Sequence, residues 1–214
     1  MKSSLSNKKT INKYMEAVNK IIKNSNKQAI KLGIFHLQNH LTRQIQARAI
    51  EQVIIGDEWE KEEEWLLTCI YKMPHEYIKS GTDIKVNISS FPCVSFVASK
   101  TRLINCFKWI GYPVNPFLQG TNHSPIYYLY PLNVIYCSNG MHSFSTGTLE
   151  SNSYIRTDKI INLKNSYSSI YFDGKYFRKI DTNKKLFKAP SLEFGILYEI
   201  GRFVLKLDIH WFDF

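Results

Sequence analysis

The chain has 214 residues, a formal charge of +10, and apolar and aromatic shares of 44% and 14%. That composition fills a core and excludes a disordered chain, and no run approaches the roughly 18 apolar residues of a membrane-spanning helix. The basic N-terminus has no continuous apolar stretch and no small-residue cleavage site, so a cytoplasmic protein without a membrane anchor is expected.

The first expected helix covers residues 9–24, with Ile11, Met15, Val18 and Ile22 on one stripe and residues 1–8 disordered ahead of it. A second, longer helix follows. Ile30, Ile34, Leu37, Leu41, Ile45, Ala49 and Val53 recur at spacings of three and four, and Gly56 ends the run. Asp57 then caps an acidic helix that carries Glu58, Glu60, Glu62, Glu63 and Glu64 in its first turns and stops before Pro74. Residues 1–50 carry a net charge of +9, residues 51–64 of −6 and residues 65–214 of +7.

Strand patterns begin at 84–88 (IKVNI) and 91–98 (FPCVSFVA). Ser99 caps a helix over residues 100–110, closed by Gly111 and Pro113. The aromatic, β-branched run 126–137 is broken by Pro131, which makes it two strands or one bent strand. Residues 154–163 form a further strand. Residues 167–180 form a hairpin turning at Asp173-Gly174, and Ser191 caps a helix over 192–206. The tail IHWFDF is too apolar to float free. The expected fold is α+β, with N-terminal helices packed on a mixed β-sheet and two further helices. Residues 1–80 form a helical N-terminal region and residues 81–214 an α+β core of one continuous domain.

The cysteines Cys69, Cys93, Cys106 and Cys137 fit no CxxC spacing and are expected to be buried, reduced thiols. His36 and His40 stand one helical turn apart without a third ligand, so no metal is assigned. Glu193 and Glu199 are six residues apart and do not share a helix face, so surface solvation or pairing with Arg202 is expected instead. No sequence pattern names a cofactor.

The most site-like segment is Asn139-Gly140-Met141-His142-Ser143, a polar turn between a strand and a short helix. His142 is the acid–base candidate there, Asn139 and Ser143 would orient a ligand, and the amides near Gly140 with Ser145 and Thr146 would hold an anion. The alternative is a structural turn whose hydroxyls cap a helix. Asn122-His123-Ser124 echoes this motif. A straight strand over 126–137 would hold the two about 40 Å apart, so His123 is expected to be an ordinary loop residue.

A second candidate surface is basic. Residues 156–188 hold nine basic and three acidic residues, and Lys175, Arg178, Lys179, Lys184 and Lys185 are its nucleic-acid contact candidates. Tyr154, Tyr167, Tyr171, Tyr176 and Phe177 lie among those charges, either to stack on bases or to alternate into a sheet core.

The string NGMHSFSTG, followed by a strand and the YFDG hairpin, resembles a bacterial family known only as a domain of unknown function, from about residue 80 onward. The resemblance brings a central Asn-Gly-x-His-Ser motif and no activity. A fainter likeness is to the ParB/sulfiredoxin-like superfamily, in which a strand leads into a Gly-x-x-Arg or Gly-x-His-Arg turn whose helix binds nucleotide phosphate. Gly140 and His142 match that turn, and Ser143 stands where the superfamily has Arg.

Two functions are therefore expected. One is a small enzyme or effector acting on a phosphate-bearing ligand, a nucleotide or nucleic acid, at residues 139–143. The other is a non-enzymatic basic protein that binds nucleic acid or an acidic protein partner. The bias toward Lys, Asn, Ile and Ser suits an AT-rich genome or mobile element and associates either role with phage–host conflict. A third expectation is a protein partner docked on the tail from Trp211 to Phe214.

Overall fold

A computed structural model describes residues 2–56, 65–111 and 113–213. The acidic run from Asp57 to Glu64 and the last residue of the tail lie outside the described residues. Helix α1 (Lys2–Ile22) begins well before the expected residue 9. Asn7 explains part of this, because its amide donates to the Gly174 carbonyl at 3.0 Å and ties the start of the helix to a turn 167 residues away. Ile11 and Val18 are buried beneath it.

Helix α2 (Lys27–Ile55) is capped by Asn26, whose side chain accepts the Ala29 amide. Its buried face follows the expected stripe through Ile34, Leu41, Ile45, Ala49 and Val53, and it also takes in Gln38, Thr42 and Gln46. Helix α3 (Trp65–Tyr71) is the described part of the third expected helix.

Five strands form a mixed sheet: β1 (Glu76–Asn87), β2 (Cys93–Val94), β3 (Ile126–Tyr130), β4 (Val134–Cys137) and β5 (Tyr154–Asn162). Their order is β1-β5-β3-β4-β2. The β1–β5 and β3–β4 pairs are antiparallel, and the β3–β5 and β2–β4 pairs are parallel. β1 starts at Glu76 rather than Ile84. Its pairing is interrupted between Lys79 and Ile84, which hides the first half from a period-two reading. Helices α4 (Lys100–Trp109) and α5 (Met141–Gly147) pack against each other beside β2 and β4.

The rest of the chain is a second layer. Strands β6 (Ile170–Phe172), β7 (Tyr176–Lys179) and β8 (Lys185–Lys188) form an antiparallel meander, and helix α6 (Leu192–Lys206) covers its inner face. Phe177 meets Phe194 and Tyr198 there, and Tyr198 stacks on Tyr167 at 4.2 Å between ring centres. Arg202 clips α6 to the meander by donating to the carbonyls of Tyr167 and Ile170, while Glu199 accepts the Phe172 amide. The core thus runs continuously from Ile11 to Ile209 through helices and both sheets. The class is α+β with N-terminal helices, as the sequence predicts.

The tail turns inward. Ile209 is buried, Phe212 packs on Phe91 and Tyr128, and His210 stacks on Tyr130. Ile209 and Phe212 thus pack on the chain's own core, while Trp211 and Phe212 stay partly exposed. Cys69, Cys93 and Cys137 are buried, and Cys106 is half-buried rather than enclosed. Among the described residues no helix is long and apolar enough to cross a membrane.

Candidate functional site

The break at Pro131 is a full reversal. β3 and β4 pair as a hairpin with Ile126 opposite Cys137, so residues 121–123 and 139–143 meet at one end of the sheet. His123 is therefore not an ordinary loop residue. It is buried, and its Nε2 lies 2.7 Å from Ser143 Oγ.

The proton positions in this pair follow from the remaining contacts. The Gly120 amide donates to His123 Nδ1 at 2.9 Å, which leaves the proton of the neutral ring on Nε2. Nε2 then donates to Ser143 Oγ, and Ser143 donates onward to the Gly140 carbonyl at 3.0 Å. A serine nucleophile needs the opposite arrangement, with the imidazole accepting from the hydroxyl. The pair is a closed relay that fixes the loop.

The other motif residues are equally committed. Gly140 takes a left-handed backbone (φ +65), and a side chain there would run into the His123 ring. Asn139 accepts the Gly140 amide through Oδ1 and approaches the Ser124 carbonyl with Nδ2. His142 accepts the Ser99 amide at 3.0 Å through Nε2, which joins α5 to the cap of α4. Ser145 and Thr146 are buried. Thr146 donates to the His142 carbonyl, and Ser145 belongs to a network with Gln46 and Ser95. Gln46, at the centre of that network, accepts the Ser95 amide at 2.7 Å. No sequence signal marks it, because a polar residue on a helix face resembles a solvated one.

Burial lowers the pKa of both His123 and His142, and Arg102 adds to the effect at His142. Both rings are neutral in the fold and protonate more readily when it opens. Their contribution to stability is complete above the ordinary value of about 6.5 and is lost as pH falls through and below it. The melting temperature is expected to fall between about pH 7.5 and about pH 5.5. His142→Gln should show a shallower fall, because its amide oxygen accepts the Ser99 amide without titrating. Equal slopes in thermal melts of the two proteins would remove His142 from this account.

The second candidate lies on the meander. Phe172, Phe177 and Phe187 are opposed across the three strands, and Phe172 and Phe177 pack on α6, so the neighbours of these rings must face away. Tyr171, Arg178 and Lys185 form one outward row, and Tyr176 and Lys188 form the next. The Tyr176 ring has Lys185 Nζ at 4.8 Å and Lys175 Nζ at 5.4 Å from its centre. Tyr167 and Phe177, by contrast, are core residues.

Not every expected contact is equally available. Arg178 is paired with Asp173 and donates to the Asn183 carbonyl at 2.8 Å, so it holds the hairpin together. Lys175, Lys179, Lys184 and Lys185 are exposed. The backbone of α1 at Lys8 lies against Gly174, which brings exposed Lys8 and Lys9 to the Lys175 end of the same surface. Two basic regions that are distant in sequence thus share one side of the fold.

Among the described residues no three His, Cys, Asp or Glu side chains come together as a metal site. His40 contacts Gln44, and His36 packs edge-on against Phe35. Glu193 forms a two-pronged pair with Arg48, and Glu199 pairs with Arg202 at 3.0 Å.

No curated protein and no solved structure matches the chain. A family match covers residues 1–211, so it takes in the N-terminal helices that the Asn-Gly-x-His-Ser resemblance does not reach. With nearly its whole length matched, the chain belongs to the family of unknown function DUF6710.

Proposed function

We propose that the protein binds nucleic acid through the outer face of the β6–β8 meander. One observation carries the reading: two tyrosines, Tyr171 and Tyr176, stand on an outward sheet face among Lys175, Arg178 and Lys185, with two ammonium groups within 5.4 Å of the Tyr176 ring centre. Cations attract phosphates, and aromatic faces stack on bases without demanding a sequence. The nearby lysines of α1 enlarge the positive field. Acid–base chemistry at residues 139–143 is the less favoured reading, because His142 and Ser143 already hold hydrogen bonds to Ser99 and His123.

The test is fluorescence anisotropy with labelled single-stranded oligonucleotides of about 12 nucleotides. Wild type should bind with an affinity that falls steeply with salt. Lys175→Gln/Lys184→Gln/Lys185→Gln should bind at least about tenfold more weakly and flatten the log–log salt slope by about 2, since each phosphate contact on a single strand contributes about 0.7. His142→Ala should bind like wild type. Equal binding by the triple variant and wild type would sink the proposal, and selective loss in His142→Ala would return the site to the 139–143 loop.

A further inference from the structure

A second group of aromatic side chains starts at Tyr71, the last residue of α3. Tyr71, His75, Tyr77 and Tyr127 form a row with ring centres 5.7, 5.2 and 6.3 Å apart in that order. Tyr71 and Tyr77 remain 47% and 58% exposed, unusually open for rings of this size. His75 is oriented by its own backbone, with Nδ1 2.8 Å from the Met73 carbonyl. The row ends in an open groove of about 430 Å³ between β1, β3 and β5, lined by Tyr77, Lys79, Tyr127, Asp158 and Lys159. Asp158, the carboxylate lining this groove, lies 3.6 Å from Lys79. Tyr127 packs against the core, whereas Tyr71 and Tyr77 add exposed rings beside a sheet that already buries Tyr128, Leu129 and Ile160.

The row also connects to the meander. Thr68 of α3 and Lys72 just beyond its end line a hollow of about 270 Å³ together with Phe187 and Lys188 of β8, and the Lys72 ammonium lies 5.9 Å from the Phe187 ring centre. Tyr71 precedes Lys72 and sits one helical turn from Thr68, on the same side of α3. Aromatic and cationic groups therefore follow one another from Tyr176 and Lys185, through Lys188 and Lys72, to Tyr71, Tyr77 and Lys159.

We infer that this second row is a further binding subsite, and that the ligand is a single strand of nucleic acid running from the meander across α3 onto the sheet. The inference rests on the proposed meander site and adds the ligand class. A duplex hides its base faces in its own stack and offers a protein phosphates and groove edges. Two sets of open rings, each beside lysines, suit unpaired bases and a flexible backbone instead.

The experiment compares oligonucleotides of about 4 and about 12 nucleotides, with a duplex of the longer sequence, in anisotropy titrations of the full-length protein. Wild type should bind the long strand more tightly than the short one, and more tightly than the duplex. Tyr77→Ala/Lys159→Gln should lose about tenfold for the long strand and nothing for the short one. Tyr77→Phe, which keeps the ring, should retain the advantage of length and rule out a folding defect. Tyr176→Ala/Lys185→Gln should lose affinity for both strands. If the Tyr77 and Lys159 variant binds the long strand like wild type while the Tyr176 variant fails, the second subsite is wrong and the meander site stands. If duplex binds as tightly as single strand, the ligand class is wrong. If neither variant changes binding, or wild type binds no oligonucleotide, both readings fall.

Discussion

Replacing Gln46 by leucine is expected to destabilise the fold by about 3 kcal/mol and to lower the melting temperature by roughly 6–12 °C. The two side chains are similar in volume, so little of this loss comes from a cavity. It comes from the groups left behind. The Ser95 amide donates to Gln46 Oε1 at 2.7 Å, and Gln46 Nε2 donates to Ser145 Oγ at 3.0 Å. Ser95 and Ser145 are fully buried. A buried donor without an acceptor forfeits about 1–3 kcal/mol, and a rearranged hydroxyl adds to that. Ser145 itself still donates to the Ser95 carbonyl and Ser95 to the Met141 carbonyl, so the three residues form one unit. The double variant Gln46→Leu/Ser145→Ala should therefore cost less than the sum of the single changes. Thermal melts of the four proteins give the answer. A loss under about 1 kcal/mol for Gln46→Leu would mean that the network does not hold α5 to α2.

This network also marks the limit of what the residue pattern conveys. Local rules located the elements that local chemistry determines. Ser99 and Ser191 accept the amides of Arg102 and Phe194, and α4 and α6 start where those caps predict. Asp173-Gly174 turns the meander, with Gly174 at φ +104. What escaped depends on distant partners. Gln38 and Gln46 are polar yet buried because their hydrogen-bond partners come from elsewhere in the chain, Gln38 donating to the Pro131 carbonyl 93 residues on and Gln46 to Ser145, whereas Thr42 between them donates to the Gln38 carbonyl one turn back. The meeting of His123 with Ser143 depends on the sense of a reversal that Pro131 only permits. The faces of β6 and β7 were ambiguous for a similar reason. Tyr171 and Phe172 are adjacent and both aromatic, and only the position of α6 decides that Phe172 turns inward. The candidate surface was therefore visible as a composition, and its division into core rings and outward rings was not.

Gly195→Ala carries the other large expected loss, and here two effects oppose each other. Gly195 lies inside α6, where alanine is favoured over glycine by about 1 kcal/mol. A methyl group at this position, however, would lie within contact distance of the Phe172 ring. That ring cannot swing away, because Phe177 lies 5.4 Å from it on one side and the Phe172 amide is held by Glu199 at 2.8 Å. Overpacking of a fixed core costs about 1–3 kcal/mol and occasionally more. With the ring trapped, the clash should exceed the helix gain, for a net loss of about 2 kcal/mol or more. Gly81→Ala is the matched control, since nothing lies near its added methyl, and it should shift stability by less than about 0.5 kcal/mol. Gly195→Ala/Phe172→Leu should recover part of the loss by giving the methyl room. The same displacement would reach function, because Phe172 and Tyr171 are consecutive residues of β6 on opposite faces. Oligonucleotide affinity should therefore fall in Gly195→Ala and return with Phe172→Leu, at temperatures where both proteins remain folded. If stability recovers and affinity does not, the packing of α6 does not set the position of the outward tyrosines.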